Sequence, residues 1–205
     1  MKKSVYKQTI EVYNKLGKGY LENSKKVTPP ERLPFSKLFS KGSYILDVGC
    51  GGGRDSNFFI QKKLKVTGID TSPVFIKLAK KEVPEAAFKC IDLLKVDFPK
   101  ETFDGIWAQA VLLHLKRKDL PKALKKFHKI LKQNGVLHLT LREGKGEAYV
   151  KDKISNEEER FYTYFSRKEI KNLLRKQGFK IILFKVTGDV HQRADINWMR
   201  IWAQK

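Results

Sequence analysis

Ile45-Leu46-Asp47-Val48-Gly49-Cys50-Gly51-Gly52-Gly53-Arg54 joins an apolar run carrying one acid to a glycine-rich turn, and a helical pattern begins at its last residue. That order predicts a buried strand, a tight loop and a helix. Glycines at 49, 51 and 53 open backbone conformations closed to other residues and let a ligand approach the main chain. Such a loop leaves the carboxyl edge of its strand, where doubly wound sheets bind ligands. The spacing separates cofactor classes. A dinucleotide loop needs G-x-G-x-x-G, but the sixth position counted from Gly49 is Arg54. A phosphate loop needs Gly-Lys followed by Ser or Thr, and that is absent here. The residues from Asp47 to Gly53 instead fit D-x-G-x-G-x-G.

Outward from this stretch, short β-rich runs alternate with helical ones, the mark of an α/β domain with a mostly parallel sheet. Tyr44–Val48, Lys65–Ile69, Ala87–Ile91, Phe103–Ala108 and Val136–Leu141 read as five strands. Arg54–Lys62 and Val74–Glu82 read as helices between them. Asp119 is placed to cap an amphipathic helix with Leu120, Leu124, Phe127 and Leu131 on its apolar stripe, closed by Asn134-Gly135. Ser166 and Glu169 form a capping box for a helix that Gly178 stops. Lys180–Val186 and Asn197–Ala203 read as two final strands. Residues 4–16 read as a helix, Val27–Pro34 as a proline-rich loop, and 143–160 as a charged, mobile insertion.

With 205 residues the chain fits one domain: a helical cap at 1–42, a cofactor-binding core at 43–142, and a substrate-side insertion with a terminal hairpin at 143–205. No apolar run approaches the ~20 residues of a membrane helix, and the N-terminus lacks the apolar core of a signal peptide. These features predict a cytoplasmic protein with no membrane partner. Two cysteines are too few for a disulfide framework, and the four histidines lack metal-ligand spacing, so no metal site is predicted. The net charge is +21, distributed as +7 over residues 1–42, +1 over 43–114, +7 over 115–133 and +6 over 134–205. A near-neutral core with basic flanks predicts weak, non-specific attraction to nucleic acid. Of the 43 basic residues 34 are Lys, whereas bidentate phosphate or guanine recognition favours Arg.

Further motifs follow the glycine loop. Asp70 ends Gly68-Ile69-Asp70, where an acid can accept two hydrogen bonds from a ribose diol. Asp92 follows the third strand in Cys90-Ile91-Asp92-Leu93. With Phe103–Ala108, Leu112-Leu113-His114-Leu115 and Leu131–Leu137, the order and spacing over residues 42–142 resemble the class I S-adenosylmethionine-dependent methyltransferases. The resemblance implies a Rossmann-like seven-stranded, mostly parallel sheet with helices on both faces and a terminal antiparallel hairpin. It implies S-adenosyl-L-methionine as cofactor, bordered by Asp47, Gly49, Cys50, Gly51, Gly53, Arg54, Asp70, Thr71, Ser72, Asp92, Leu93 and Ala108. In this family the acid at Asp47 supports the methionine end, and the acid at Asp92 meets the adenine amino group.

The flanks carry a further resemblance. Tyr13-Asn14-Lys15-Leu16-Gly17-Lys18-Gly19-Tyr20 is similar to the Tyr-x-x-x-Ala-x-x-Tyr helix of many small-molecule and tRNA methyltransferases, with Gly17 weakening the helix where Ala is usual. Tyr13 and Tyr20 would then border the methyl end of the cofactor. Arg142-Glu143-Gly144 with Phe161-Tyr162-Thr163-Tyr164-Phe165 resembles the segment after strand five in bacterial methyltransferases of unassigned substrate. Tyr162, Tyr164 and Arg142 are therefore pocket candidates, with Arg142 suited to anchor an acidic acceptor. His114 lies just past strand four and is the candidate general base.

The function implied is methyl transfer to a small-molecule acceptor by a monomer or homodimer. Two alternatives stand beside it: an RNA (tRNA) methyltransferase using the basic flanks, and a non-catalytic cofactor binder. The Asp/Asn-Pro-Pro-Tyr/Phe signature of adenine-N6 and glutamine-amide methylation is absent, since the chain reads Ala108-Gln109-Ala110-Val111 there.

Overall fold

Strands covered on both faces by helices are apolar almost throughout, because neither side meets water. Four of the five residues of Tyr44–Val48 and five of the six of Phe103–Ala108 are buried accordingly. The computed structural model describes residues 5–25, 27–151, 157–189 and 196–205. In chain order the elements are α1 (Val5–Lys25), α2 (Arg32–Ser36), β1 (Tyr44–Val48), α3 (Arg54–Gln61), β2 (Lys65–Asp70), α4 (Pro73–Glu82), β3 (Ala87–Cys90) and β4 (Phe103–Ala108). They continue with α5 (Leu120–Ile130), β5 (Leu131–Glu143), β6 (Glu147–Lys151), β7 (Glu159–Phe165), α6 (Arg167–Lys176), β8 (Lys180–Gly188) and β9 (Asn197–Gln204). Short 3₁₀ turns lie at Leu93–Lys95 and Leu112–His114.

The expected framework is present. Strands β3, β2, β1, β4 and β5 run parallel in that order. Strand β9 then pairs antiparallel with β5 and carries β8 on its other edge. The chain leaves β1 toward β2 on one side, while β4 lies on the other, which opens a crevice at their carboxyl ends. Alternate side chains feed two layers: Ile106 packs with Leu124, Phe127 and Leu137, whereas Trp107 packs with Phe35, Phe59 and Trp202 across the sheet.

Several elements differ from expectation. The stretch 143–160 supplies β6 and the start of β7, two strands beyond the seven, although its residues 152–156 lie outside the described residues, as does His191. Strand β4 stops at Ala108 opposite Leu139, and β7 pairs with β5 beyond that point, at Arg142 and Glu143. Helix α5 ends at Ile130, so Asn134-Gly135 turn the backbone inside β5 instead of closing the helix; Asn134 has φ 63°. Asp119 sits at the start of α5 but makes no cap bond, and its carboxylate accepts from Tyr6 Oη at 2.5 Å and Lys122 Nζ at 3.0 Å. Helix α1 runs to Lys25, interrupted at Gly17 (φ 49°, ψ −133°), the position whose helix propensity is weak. The proline-rich stretch runs into α2, whose first three residues it supplies, while the Ser166–Glu169 capping box forms as read. Among the described residues no helix is long and apolar enough to cross a membrane.

Candidate active site

The loop after β1 is held by the strand beside it. The Gly49 and Cys50 N–H groups both donate to Ile69 O, at 2.8 and 3.0 Å. Gly49 has φ 70°, and a Cβ there would lie 2.5 Å from Val111 Cγ2. Only glycine therefore fits between this turn and the segment after β4. Gly51 N and Ser72 N donate to the two oxygens of Asp70, at 3.0 and 2.9 Å. Burial raises the Asp70 pKa, while these N–H groups oppose the rise. Asp92 accepts from Leu94 N at 2.8 Å, which fixes its carboxylate at the head of the 3₁₀ turn.

A buried carboxylate pair lies beneath the loop. Asp47 accepts from Ser56 Oγ at 2.6 Å. Asp55 accepts from Arg32 at 2.9 Å, from Arg54 at 3.0 and 2.7 Å, and from Trp107 Nε1 at 3.0 Å. Burial and the neighbouring Asp55 charge push Asp47 up to about 7. Burial would also raise Asp55, but the Arg54 guanidinium and the three donors outweigh it and hold Asp55 below its ordinary value. Arg54 also reaches Val27 O at 3.1 Å, tying the segment before α2 to the loop.

A hydrogen-bonded chain lies at the other end. His114 Nδ1 is 2.8 Å from Phe161 O and Nε2 is 2.9 Å from Tyr13 Oη. A carbonyl can only accept, so in the neutral ring Nδ1 carries the proton and Nε2 accepts from Tyr13. Arg160 Nη1 donates to the same Tyr13 oxygen at 2.8 Å. Burial holds the Tyr13 hydroxyl well above its ordinary pKa. Arg142 lies over the Tyr162 ring at 4.1 Å, and that ring is 5.0 Å from the ring of His114. Beneath them Trp202 Nε1 donates to His138 Nδ1 at 3.1 Å, so His138 Nε2 donates to Gln109 Oε1 at 2.8 Å. Burial pushes His138 down to about 3, which keeps this ring neutral.

One cavity of about 1320 Å³ joins both ends. Asp47, Gly49, Cys50, Gly51, Arg54, Asp70, Thr71, Asp92 and Leu93 line it, as do Tyr13, Tyr20, His114, Arg142 and Tyr162. Four sequence candidates stand outside the lining. Gly53 packs the start of α3 on Val83 and Phe88, and Ser72 caps α4 while donating to Asn14. Ala108 is buried at the end of β4, with Gln109, Ala110 and Val111 lining the cavity in its place. Tyr164 packs on Gly144, and its carbonyl accepts from Arg117. Asp55, Gln109, Arg160, Trp198 and Arg200 line the cavity without having been singled out from sequence. Several have partners distant in the chain, as with Arg160 and Tyr13, 147 positions apart, and Asp55 and Trp107, 52 apart.

Residues 45–135 match the model of a methyltransferase domain. The chain is 31% identical over 129 residues to phosphoethanolamine N-methyltransferase 3 of Arabidopsis thaliana, an alignment covering 60% of this chain and 26% of that protein. It is 24% identical to the ubiquinone biosynthesis O-methyltransferase of Coxiella burnetii, over 97% of this chain and 84% of that one. A solved SAM-dependent methyltransferase from Methanosarcina mazei shares the fold, with TM-score 0.75, 24% identity, and coverage of 87% and 98% of the two chains. The chain thus spans about a quarter of the plant relative and most of the two microbial ones.

Proposed function

We propose that the chain is a class I S-adenosylmethionine-dependent methyltransferase and that it transfers that cofactor's methyl group to an oxygen or nitrogen of a small-molecule acceptor. One observation carries this: a single cavity runs from the Asp70 and Asp92 carboxylates to the Tyr13–His114 pair. The loop suits the cofactor. Gly49 lets the loop close against Val111 where both line the cavity, and Asp70 is oriented by Gly51 and Ser72 to accept from a ribose diol. Asp92 and Leu93 would border the adenine, and Asp47 with the glycine loop the methionine end.

Bound S-adenosylmethionine supplies a methyl group already activated by its sulfonium, so the protein positions the acceptor and takes its proton. His114 is suited to the second task. Its Nδ1 is committed to Phe161 O, which leaves Nε2 as the basic atom. Tyr13 passes its proton to Nε2 as it receives one from the acceptor, and the Arg160 guanidinium stabilises negative charge gathering on the phenol oxygen. Burial keeps Tyr13 neutral between turnovers.

The names of two relatives, a phosphoethanolamine N-methyltransferase and a ubiquinone biosynthesis O-methyltransferase, support a small acceptor and leave nitrogen and oxygen both in play. The test is transfer of labelled methyl from the cofactor into a small-metabolite extract and into total RNA. Label is expected in the metabolite fraction. Label in RNA alone would contradict the proposal.

A further inference from the structure

We infer that Gln109 selects which acceptors the cavity admits: its carboxamide NH2 donates to a lone-pair atom of the methyl acceptor, a carbonyl-type oxygen or an unprotonated ring nitrogen. The inference rests on the methyltransferase reading, because it concerns the acceptor's seat in the same cavity.

The polarity of the amide is fixed from behind. An indole N–H can only donate, so the bond from Trp202 Nε1 at 3.1 Å leaves His138 Nδ1 without a proton. The neutral ring then carries its proton on Nε2, which lies 2.8 Å from the Gln109 carboxamide. Only the carboxamide oxygen can face that N–H, since a flipped amide would set donor against donor. The ring stays neutral because burial disfavours its charged form, while Asp55 and Arg200 act on it in opposite senses. It is also held against rotation. The ring is fully buried and stacks on Trp107, with centroids 3.8 Å apart and planes 17° apart. Trp107 is itself fixed by its Nε1 bond to Asp55. The Gln109 oxygen is thus committed to His138, and the NH2 is the end turned away from it.

Gln109 is half-buried and lines the cavity, and among the described residues no group accepts from its NH2. A site that offers such a donor favours a ligand that accepts from it and rejects one that would leave it unpaired. The place of the amide says which ligand that is. Gln109 follows β4 but leans onto β5, on the far side of β4 from β1 and its glycine loop. The next residue adds a second tie to β5, as Ala110 N donates to Thr140 Oγ1 at 2.7 Å. On β5, His138, Thr140 and Arg142 share one face, register with Trp202, Arg200 and Trp198 of β9, and Arg142, Arg200 and Trp198 line the cavity beside Gln109. The glycine loop is met instead by Val111, two residues further on. The amide therefore belongs to the wall away from the cofactor loop, where the methyl acceptor sits.

The test uses the full chain with labelled S-adenosylmethionine and the small-metabolite extract, the rate being followed across dilutions of the extract. Gln109→Met should raise the extract concentration at half-maximal rate on the order of tenfold. S-adenosylhomocysteine affinity should stay within about twofold of the parent, which also certifies the fold. Gln109→Glu keeps an oxygen for His138 and puts a second oxygen where the NH2 stood, so it should be impaired at least as much. A Gln109→Glu protein at or below the parent's half-maximal concentration would overturn the inference, because the ligand atom would then be a donor. An unchanged Gln109→Met protein would overturn it too, as would one that loses S-adenosylhomocysteine affinity alone. Nitrogen NMR of the His138 ring should show Nε2 protonated and Nδ1 bare between about pH 5 and 8. A proton on Nδ1 would free the amide to flip and overturn its assigned polarity. No label in metabolites from the unaltered chain would instead strike the methyltransferase reading, and the inference with it.

Discussion

Gly49→Ala probes how tightly the cofactor loop is built. The residue sits at φ 70°, and an L side chain in the left-handed region costs roughly 1–2 kcal/mol. The added Cβ would lie 2.5 Å from Val111 Cγ2 and 2.7 Å from Val111 Cβ. Val111 is β-branched, so the clashing atoms sit next to its own backbone and cannot swing aside. Overpacking of this kind costs about 1–3 kcal/mol. The expected loss is therefore roughly 2–5 kcal/mol, a large part of the ~5–15 kcal/mol that holds a domain folded. Gly52→Ala is the contrast. Its φ lies outside the left-handed region, and its Cβ would meet Leu21 Cδ1 at 2.7 Å, the end of a flexible side chain. That variant should lose less than about 1 kcal/mol. In Gly49→Ala with Val111→Gly, which removes both the Cγ2 and the Cβ contacts, the steric part should return while the backbone part stays, a coupling of about 1–3 kcal/mol in a double-mutant cycle. Urea unfolding followed by circular dichroism measures each value, provided the m-value is unchanged. A Gly49→Ala protein within about 0.5 kcal/mol of the parent would refute the packing account, and so would a cycle with no coupling.

His114→Asn should lower turnover about 10²–10⁴-fold with S-adenosylhomocysteine affinity nearly unchanged, measured on whichever acceptor the labelling screen reveals; unaltered turnover would leave the histidine a packing residue. Asp47, pushed up to about 7 by burial and Asp55, loses its proton in the unfolded chain first. Its protonated form thus supports the fold below about pH 4, and that support drains away as pH rises through about 7. Asp47→Asn should flatten this decline in unfolding free energy, and a decline of the same size in the variant would assign it to another group. Affinity for bulk RNA should be weak and fall steeply between about 50 and 200 mM salt, because its source is lysine charge; a complex that persists at the upper salt would bring RNA forward as the acceptor.

How much of this was legible in the sequence follows from where each element finds its partners. Phe103–Ala108 matches its expected bounds to the residue, because a strand covered on both faces is an apolar run wherever it sits. The Ser166–Glu169 box is equally local, since both partners lie within one turn. Strand β6 carries no such mark: Tyr149 is exposed, and the strand is ordered by pairing with β7. Asn134-Gly135 resembles a helix stop, yet the turn it makes lies inside β5, where β9 and the chain end pair with it. At the site, Asp70 and Asp92 were visible from their places at strand ends. Arg160 and Asp55 were not, because an arginine in a charged stretch or an acid in a first helical turn is ordinarily a solvated residue. Their roles exist only once Tyr13, Trp107 and Arg32 are folded against them. Tyr13 and His114 were each suspected, but their bond spans 101 positions.

Calorimetric titration of the purified chain with S-adenosylhomocysteine and, separately, with NADH addresses the central claim most directly. The arrangement of Gly49, Asp70 and Asp92 predicts binding of the first at micromolar levels, about 8 kcal/mol, and no binding of the second. Asp70→Ala should remove about 1.5–3 kcal/mol of that affinity by deleting a charge-assisted contact. Binding of NADH without binding of S-adenosylhomocysteine would contradict the account.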